Sequence, residues 1–150
     1  MACLEFSVEI AAPTDRVFVF FVPQRMVYWY GTEMQVDFEL QGGAAEFAVG
    51  QKVRITGRMA RREVSLTAVV TRYEWLRALE WRFHDAYGVK GMQSWELAPL
   101  SESATRIVMR DEYELPGRFG HLWDWLLMRH AVARRNRSSL AKLKSLSERT

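Results

Sequence analysis

Apolar and polar residues alternate from the start of the chain: Leu4, Phe6, Val8 and Ile10 are separated by Glu5, Ser7 and Glu9. A period of two marks a strand with one buried face. The run Ala11-Ala12-Pro13-Thr14-Asp15 breaks that pattern. Proline suits a first helical turn, and Asp15 complements the positive end of a helix. Val17, Phe18, Phe20 and Phe21 therefore predict a short apolar helix ended by Pro23. Met26, Val27, Tyr28 and Trp29 predict a second helical turn, closed at Gly31.

Alternation then returns six times. Met34, Val36, Phe38 and Leu40 lead to Gly42-Gly43, and Val53 and Ile55 lead to a polar turn at Arg61-Arg62. Leu66, Ala68 and Val70 follow, then Leu79, Trp81 and Phe83, then Gln93, Trp95 and Leu97 before a turn from Pro99 to Ser103. In the last strand Thr105, Ile107, Met109, Asp111 and Tyr113 share one face. Short turns between successive strands imply antiparallel hairpins, since parallel pairing needs long crossovers. One apolar face per strand means that the sheet covers something on one side only.

The covering element comes last. From Pro116-Gly117 to about residue 148, Phe119, Leu122, Trp123, Leu126, His130, Ala133, Leu140 and Leu143 recur at spacings of three and four, a helical stripe. About 30 residues at ~1.5 Å each give a helix of roughly 45 Å, long enough to cross the sheet. The pattern predicts an α+β domain over residues 1–150: a curved antiparallel sheet of about seven strands, with two short helices after the first, wrapped around a long C-terminal helix.

Composition narrows the function classes. The chain is 49% hydrophobic and 26% charged, a profile that excludes disorder. Aromatic residues make up 13%, a generous share for this length that must be either buried in a core or used. The net charge of +3 is concentrated late, at Arg129, Arg134, Arg135, Arg137, Lys142, Lys144 and Arg149. No aromatics interleave with this run, so a solvated helix face is expected and nucleic acid is not. Cys3 is the single cysteine, no basic-then-apolar leader opens the chain, and no apolar run approaches membrane-spanning length. These features predict a cytoplasmic protein without stable membrane insertion.

The order of elements, together with Val8-Glu9-Ile10-Ala11-Ala12-Pro13, Val17-Phe18, Trp29, Trp95-Glu96-Leu97-Ala98-Pro99, Thr105-Arg106-Ile107 and Pro116-Gly117, resembles the START/polyketide-cyclase-like superfamily, also called SRPBCC or helix-grip. The resemblance covers nearly the whole chain. It implies a cavity between the concave sheet face and the last helix. Members bind lipids, sterols, polyketides, quinones or plant hormones; some are aromatase/cyclases and some act as co-chaperones. The turn Glu74-Trp75-Leu76-Arg77 lacks the Pro or Gly common there, which leaves the local register open. No subfamily catalytic signature is present, so no active site is carried over.

Neither a metal nor a cofactor is expected. His84, His121 and His130 share no ligand spacing, and the glycines form no phosphate loop. Polar residues in phase with apolar ones are more informative. Asp111 is either a strand-end carboxylate with solvent or an Arg partner, or a ligand acceptor or general base with a raised pKa. Gln93 is a candidate ligand hydrogen-bonder or a residue of the nearby turn. His130 is a core or rim histidine or a weak catalytic candidate beside Asp111. With them, Phe38, Trp81, Phe83, Trp95, Met109, Tyr113, Trp123 and Leu126 form the candidate ligand lining. Met26, Tyr28, Trp29 and Tyr30 either frame the cavity mouth or offer a surface patch to a partner or a second copy, which keeps a homodimer open.

Three functions fit these residues: binding or carriage of a small hydrophobic ligand, an enzyme of the cyclase/aromatase or hydro-lyase type, or an interaction module like the co-chaperone branch. The first is favoured, because no complete catalytic constellation is visible.

Overall fold

The computed structural model describes the backbone of residues 2–59, 62–86, 88–114 and 122–149; the side chains at 2, 59, 62 and 122–128 are outside the description. Strand β1 spans Ala2–Ile10 and is followed by helices α1 (Thr14–Phe18) and α2 (Pro23–Met26). Strands β2 (Asp37–Leu40), β3 (Lys52–Met59), β4 (Arg62–Glu74), β5 (Ala78–Asp85), β6 (Lys90–Ser101) and β7 (Ala104–Glu114) come next, and helix α3 (Leu122–Glu148) ends the order. The strands form one sheet in the order β1-β7-β6-β5-β4-β3-β2, and every neighbouring pair is antiparallel. This is the helix-grip arrangement expected from the alternation and the final amphipathic run.

Local differences have local causes. Pro23 does not end α1; that helix stops at Phe18, and Pro23 opens α2 in its first turn, where its missing N–H costs nothing. The strand predicted from Met34 begins only at Asp37. Thr32–Met34 form a 3₁₀ turn between Gly31 and Gln35, both left-handed, at φ 56° and 53°. The turn after β4 places Leu76 at φ 64°, a conformation usually left to glycine. Four residues earlier, the β4–β5 pairing shifts between Val70 and Arg72. That bulge lets both Val70 and Tyr73 meet the inner face despite their odd spacing.

The inner face can be read as cross-strand rows about 7 Å apart, two residues along each strand. One row is Ala68, Phe83, Gly91 and Tyr113; the next is Val70, Trp81, Gln93, Asp111 and Leu4; the third is Tyr73, Leu79, Trp95, Met109 and Phe6. Gly91 is required where it stands: a Cβ there would lie 2.0 Å from the Glu112 carbonyl oxygen and 2.9 Å from the Phe83 ring.

Helix α3 turns Leu140 and Leu143 of the predicted stripe inward, with Ala133 half-buried against the core, and departs from it at His130. Val132, Asn136, Ser139, Leu140, Leu143 and Ser147 are buried, whereas His130 is exposed. The apolar residues used to set the phase left out Asn136 and Ser139, which occupy inward positions because their polar groups have buried partners. Phe119 and the Pro116-Gly117 pair lie outside the described residues. At its far end α3 is tied to the start of the chain. Glu148 Oε2 accepts from the Ala11 backbone N–H at 2.7 Å, and Lys144 Nζ donates to the Glu9 carbonyl oxygen at 3.0 Å. Among the described residues no helix is long and apolar enough to cross a membrane.

Candidate ligand-binding site

The middle row of the inner face carries a connected polar cluster. Gln93 lies directly between Trp81 on β5 and Asp111 on β7. Its Oε1 accepts from Trp81 Nε1 at 3.0 Å and from the Tyr30 hydroxyl at 2.7 Å. Its Nε2 donates to Asp111 Oδ2 at 3.2 Å. The same oxygen accepts from Asn136 Nδ2 of α3 at 3.0 Å, and Arg135 Nη2 stands 4.0 Å from it. Asp111 is 1% exposed and Gln93 2%. A carboxylate this deep requires hydrogen-bond partners and positive charge, and all three neighbours supply one or the other. Both of its hydrogen bonds fall on Oδ2, leaving Oδ1 without one among the described residues.

The segment between α2 and β2 delivers Tyr30 to this cluster. Trp29 Nε1 donates to the Phe20 carbonyl at 2.8 Å, and the Gly31 N–H donates to Ser139 Oγ of α3 at 3.1 Å, which fixes the chain on either side. Burial pushes the Tyr30 phenol up from 10.0 to about 12, with Asp111 adding to the rise and Arg135 and the Gln93 hydrogen bond opposing it. Because the folded-state value is the higher one, the stability it contributes is full below pH 10 and is lost as pH climbs through about 12. Unfolding free energies measured across that interval are expected to fall more steeply for the wild type than for Tyr30→Phe.

Around the cluster the aromatics pack mostly edge to face. Trp81 and Trp95 lie 5.1 Å apart at 75°. Tyr30 contacts both, at 5.9 and 5.8 Å, and Trp29 meets Trp95 at 6.0 Å. Space of about 30 Å³, room for a water molecule, remains beside Tyr30, Met34, Ile55 and Arg135. A larger open space of about 690 Å³ is lined mostly by outward-phase residues of β4 to β7, among them Arg82, His84, Met92 and Glu112, and also borders Phe83, Gly91 and Tyr113 of the inward phase.

The candidate lining residues thus fall into groups. Gln93, Asp111, Trp81, Trp95 and Met109 are buried together on the inner face, and half-buried Phe38 stacks at an angle on Tyr30 and Trp81. Phe83 and Tyr113 lie one row away, beside the larger space. His130 is exposed on α3, and the side chains of Trp123 and Leu126 lie outside the described residues. The aromatic cluster near α2 is not a surface patch. Met26 and Trp29 are 0% exposed, and only Tyr28 is open to solvent.

Three members of the cluster were not among the candidate ligand residues. In sequence Tyr30 reads as part of the cavity mouth, and Arg135 as part of the solvated basic face. Asn136 carried a legible signal: it sits four residues after Val132 and four before Leu140, a lone amide in an apolar stripe.

A family model described as polyketide cyclase / dehydrase and lipid transport matches residues 1–148. Among solved structures, an aromatase/cyclase from Streptomyces is similar with a TM-score of 0.78 and 17% identity, covering 99% of this chain and 94% of that one. A protein from Thermus thermophilus gives 0.72 at 19% identity over 97% of each chain. One from Chromobacterium violaceum gives 0.68 at 17% over the whole of both. At such identities the likeness is one of fold. A search of curated proteins finds no match. With nearly its full length matched by the family model, the chain belongs to the polyketide cyclase / dehydrase and lipid transport family.

Proposed function

We propose that this protein binds a small hydrophobic molecule, aromatic, polyketide-like or lipid-like, against the inner face of the sheet. The observation that carries the reading is the polar cluster of Tyr30, Gln93, Asp111 and Asn136, set in a face otherwise made of aromatic and aliphatic side chains. Sites of this kind hold ligands by apolar walls and orient them by a few placed polar groups. The family description, which joins cyclases with lipid transport, supports the same class of ligand.

Titration with an apolar naphthalene fluorophore tests this, with native mass spectrometry of freshly purified protein beside it. Saturable one-to-one uptake that alters tryptophan emission is expected, since Trp81 and Trp95 stand beside the cluster. A protein that arrives empty and takes up no probe would end the reading.

Catalysis of the cyclase or dehydratase type is the second reading, and Asp111 is what favours it. It is a buried carboxylate on the inner face, with Oδ1 outside the hydrogen bonds of the described residues. A group so placed can take a proton from a substrate held against the aromatic wall. Exposed His130 shares no surroundings with it.

A further inference from the structure

Helices α1 and α3 pack on the inner side of the sheet, where Phe18 meets Tyr73 and Asn136 meets Asp111. Among the described residues nothing covers the outer side. Three successive rows cross it over β5, β6 and β7: Glu80, Ser94 and Arg110; then Arg82, Met92 and Glu112; then His84, Lys90 and Glu114. In every row an acid on one flanking strand stands against a base on the other, with β6 between them. The two stand two strand spacings apart, ~10 Å, and do not bond each other. Arg110 is bound to Glu5 and Arg106 to Glu9, whereas Arg82 and His84 have no hydrogen-bond or ion-pair partner among the described residues. The open space of about 690 Å³ lies over these rows, with Gly91 and Met92 of β6 between its charged flanks.

We propose that this face is a two-fold interface between two copies of the chain, with the axis running along β6. Rotation by 180° about that axis exchanges the β5 and β7 sides of the facing copy. Arg82 of each copy then meets Glu112 of the other, Glu80 meets Arg110, and His84 meets Glu114. Met92 meets its own counterpart. Lys90 also lies on the axis, where its own Glu114, 3.6 Å away, offsets its charge. A wholly acidic or wholly basic partner would meet like charge on one flank, so the face fits itself best. From β4 to β1 the three rows offer roughly 500 Å² per copy. That is at the low end for specific association, so the dimer is weak and reversible. The interface lies on the opposite side of the sheet from the cluster around Asp111 and does not depend on what binds there.

Sedimentation velocity across micromolar to submillimolar protein, at low and high salt, tests the proposal. A monomer–dimer equilibrium that weakens with salt is expected. Arg82→Glu and Glu112→Arg should each raise the dissociation constant by about tenfold or more, since two like-charge contacts replace two attractive ones. An equimolar mixture of the two variants should associate as the wild type does, because each meets opposite charge on the other. Mixing cannot rescue misfolded chains, so recovery separates an interface from a folding defect. A wild type that stays monomeric throughout would overturn the proposal. Dimers indifferent to either variant, or mixtures that remain monomeric, would overturn it equally.

Discussion

Trp95→Ala is expected to cost about 3–5 kcal/mol of folding free energy, the range for deleting a fully buried aromatic side chain. Trp95 is 0% exposed and packs between Leu79 and Met109 on the neighbouring strands, with Trp29 and Trp81 against its faces and edges. Among the described residues its indole N–H has no partner, so the loss is one of packing alone. Domains of this size are stable by about 5–15 kcal/mol, and the variant should unfold at markedly lower urea concentration or fail to accumulate. Trp95→Phe keeps a ring in place and drops the unpaired N–H, so it should lose far less. A Trp95→Ala midpoint close to that of the wild type would show that the inner face is loosely packed there.

The second large effect belongs to Asp111. Asp111→Ala strips the acceptor from Gln93 Nε2 and Asn136 Nδ2 and leaves the Arg135 guanidinium without its nearby carboxylate. Removing one side of a buried charged arrangement costs about 3–5 kcal/mol. Asn136→Ala alone should cost less, and the double variant less than the sum of the two, since they share a bond. Additive losses in urea unfolding would contradict the coupling. Asp111→Asn keeps the shape and one acceptor oxygen. Should a polyketide-like substrate be turned over, this variant should bind it nearly as well and lose the reaction. Unchanged turnover would remove Asp111 from the chemistry.

The strands were legible because each buries one face, and burial forces alternation. Residues 105, 107, 109, 111 and 113 of β7 are all buried, as their phase requires. Asp111 and Gln93 were legible for the same reason, as polar residues in apolar phase. The partners of Asp111 were not. Arg135 sits in a run of basic residues that reads as solvent-facing, yet its guanidinium turns inward to a carboxylate 24 residues earlier on another element. Nothing local in the sequence marks that pairing. His130 failed for the opposite reason: its spacing from Leu126 suggested the inner stripe, but Val132 and Asn136 set the actual phase of the helix. The left-handed Gln35 and Leu76 were equally hidden, because neither residue type announces that conformation.

The pairing of β1 with β7, and the tie between Ala11 and Glu148 across 137 residues of sequence, impose an order on assembly. During synthesis the first strand emerges with its apolar edge and must wait for the seventh before any sheet partner exists. Contacts this distant in sequence are also closed late and slowly when the whole chain refolds. The nascent chain therefore carries an unpaired, half-apolar strand until β7 is made, and Lys144 and Glu148 act as a closing latch formed only when α3 is complete.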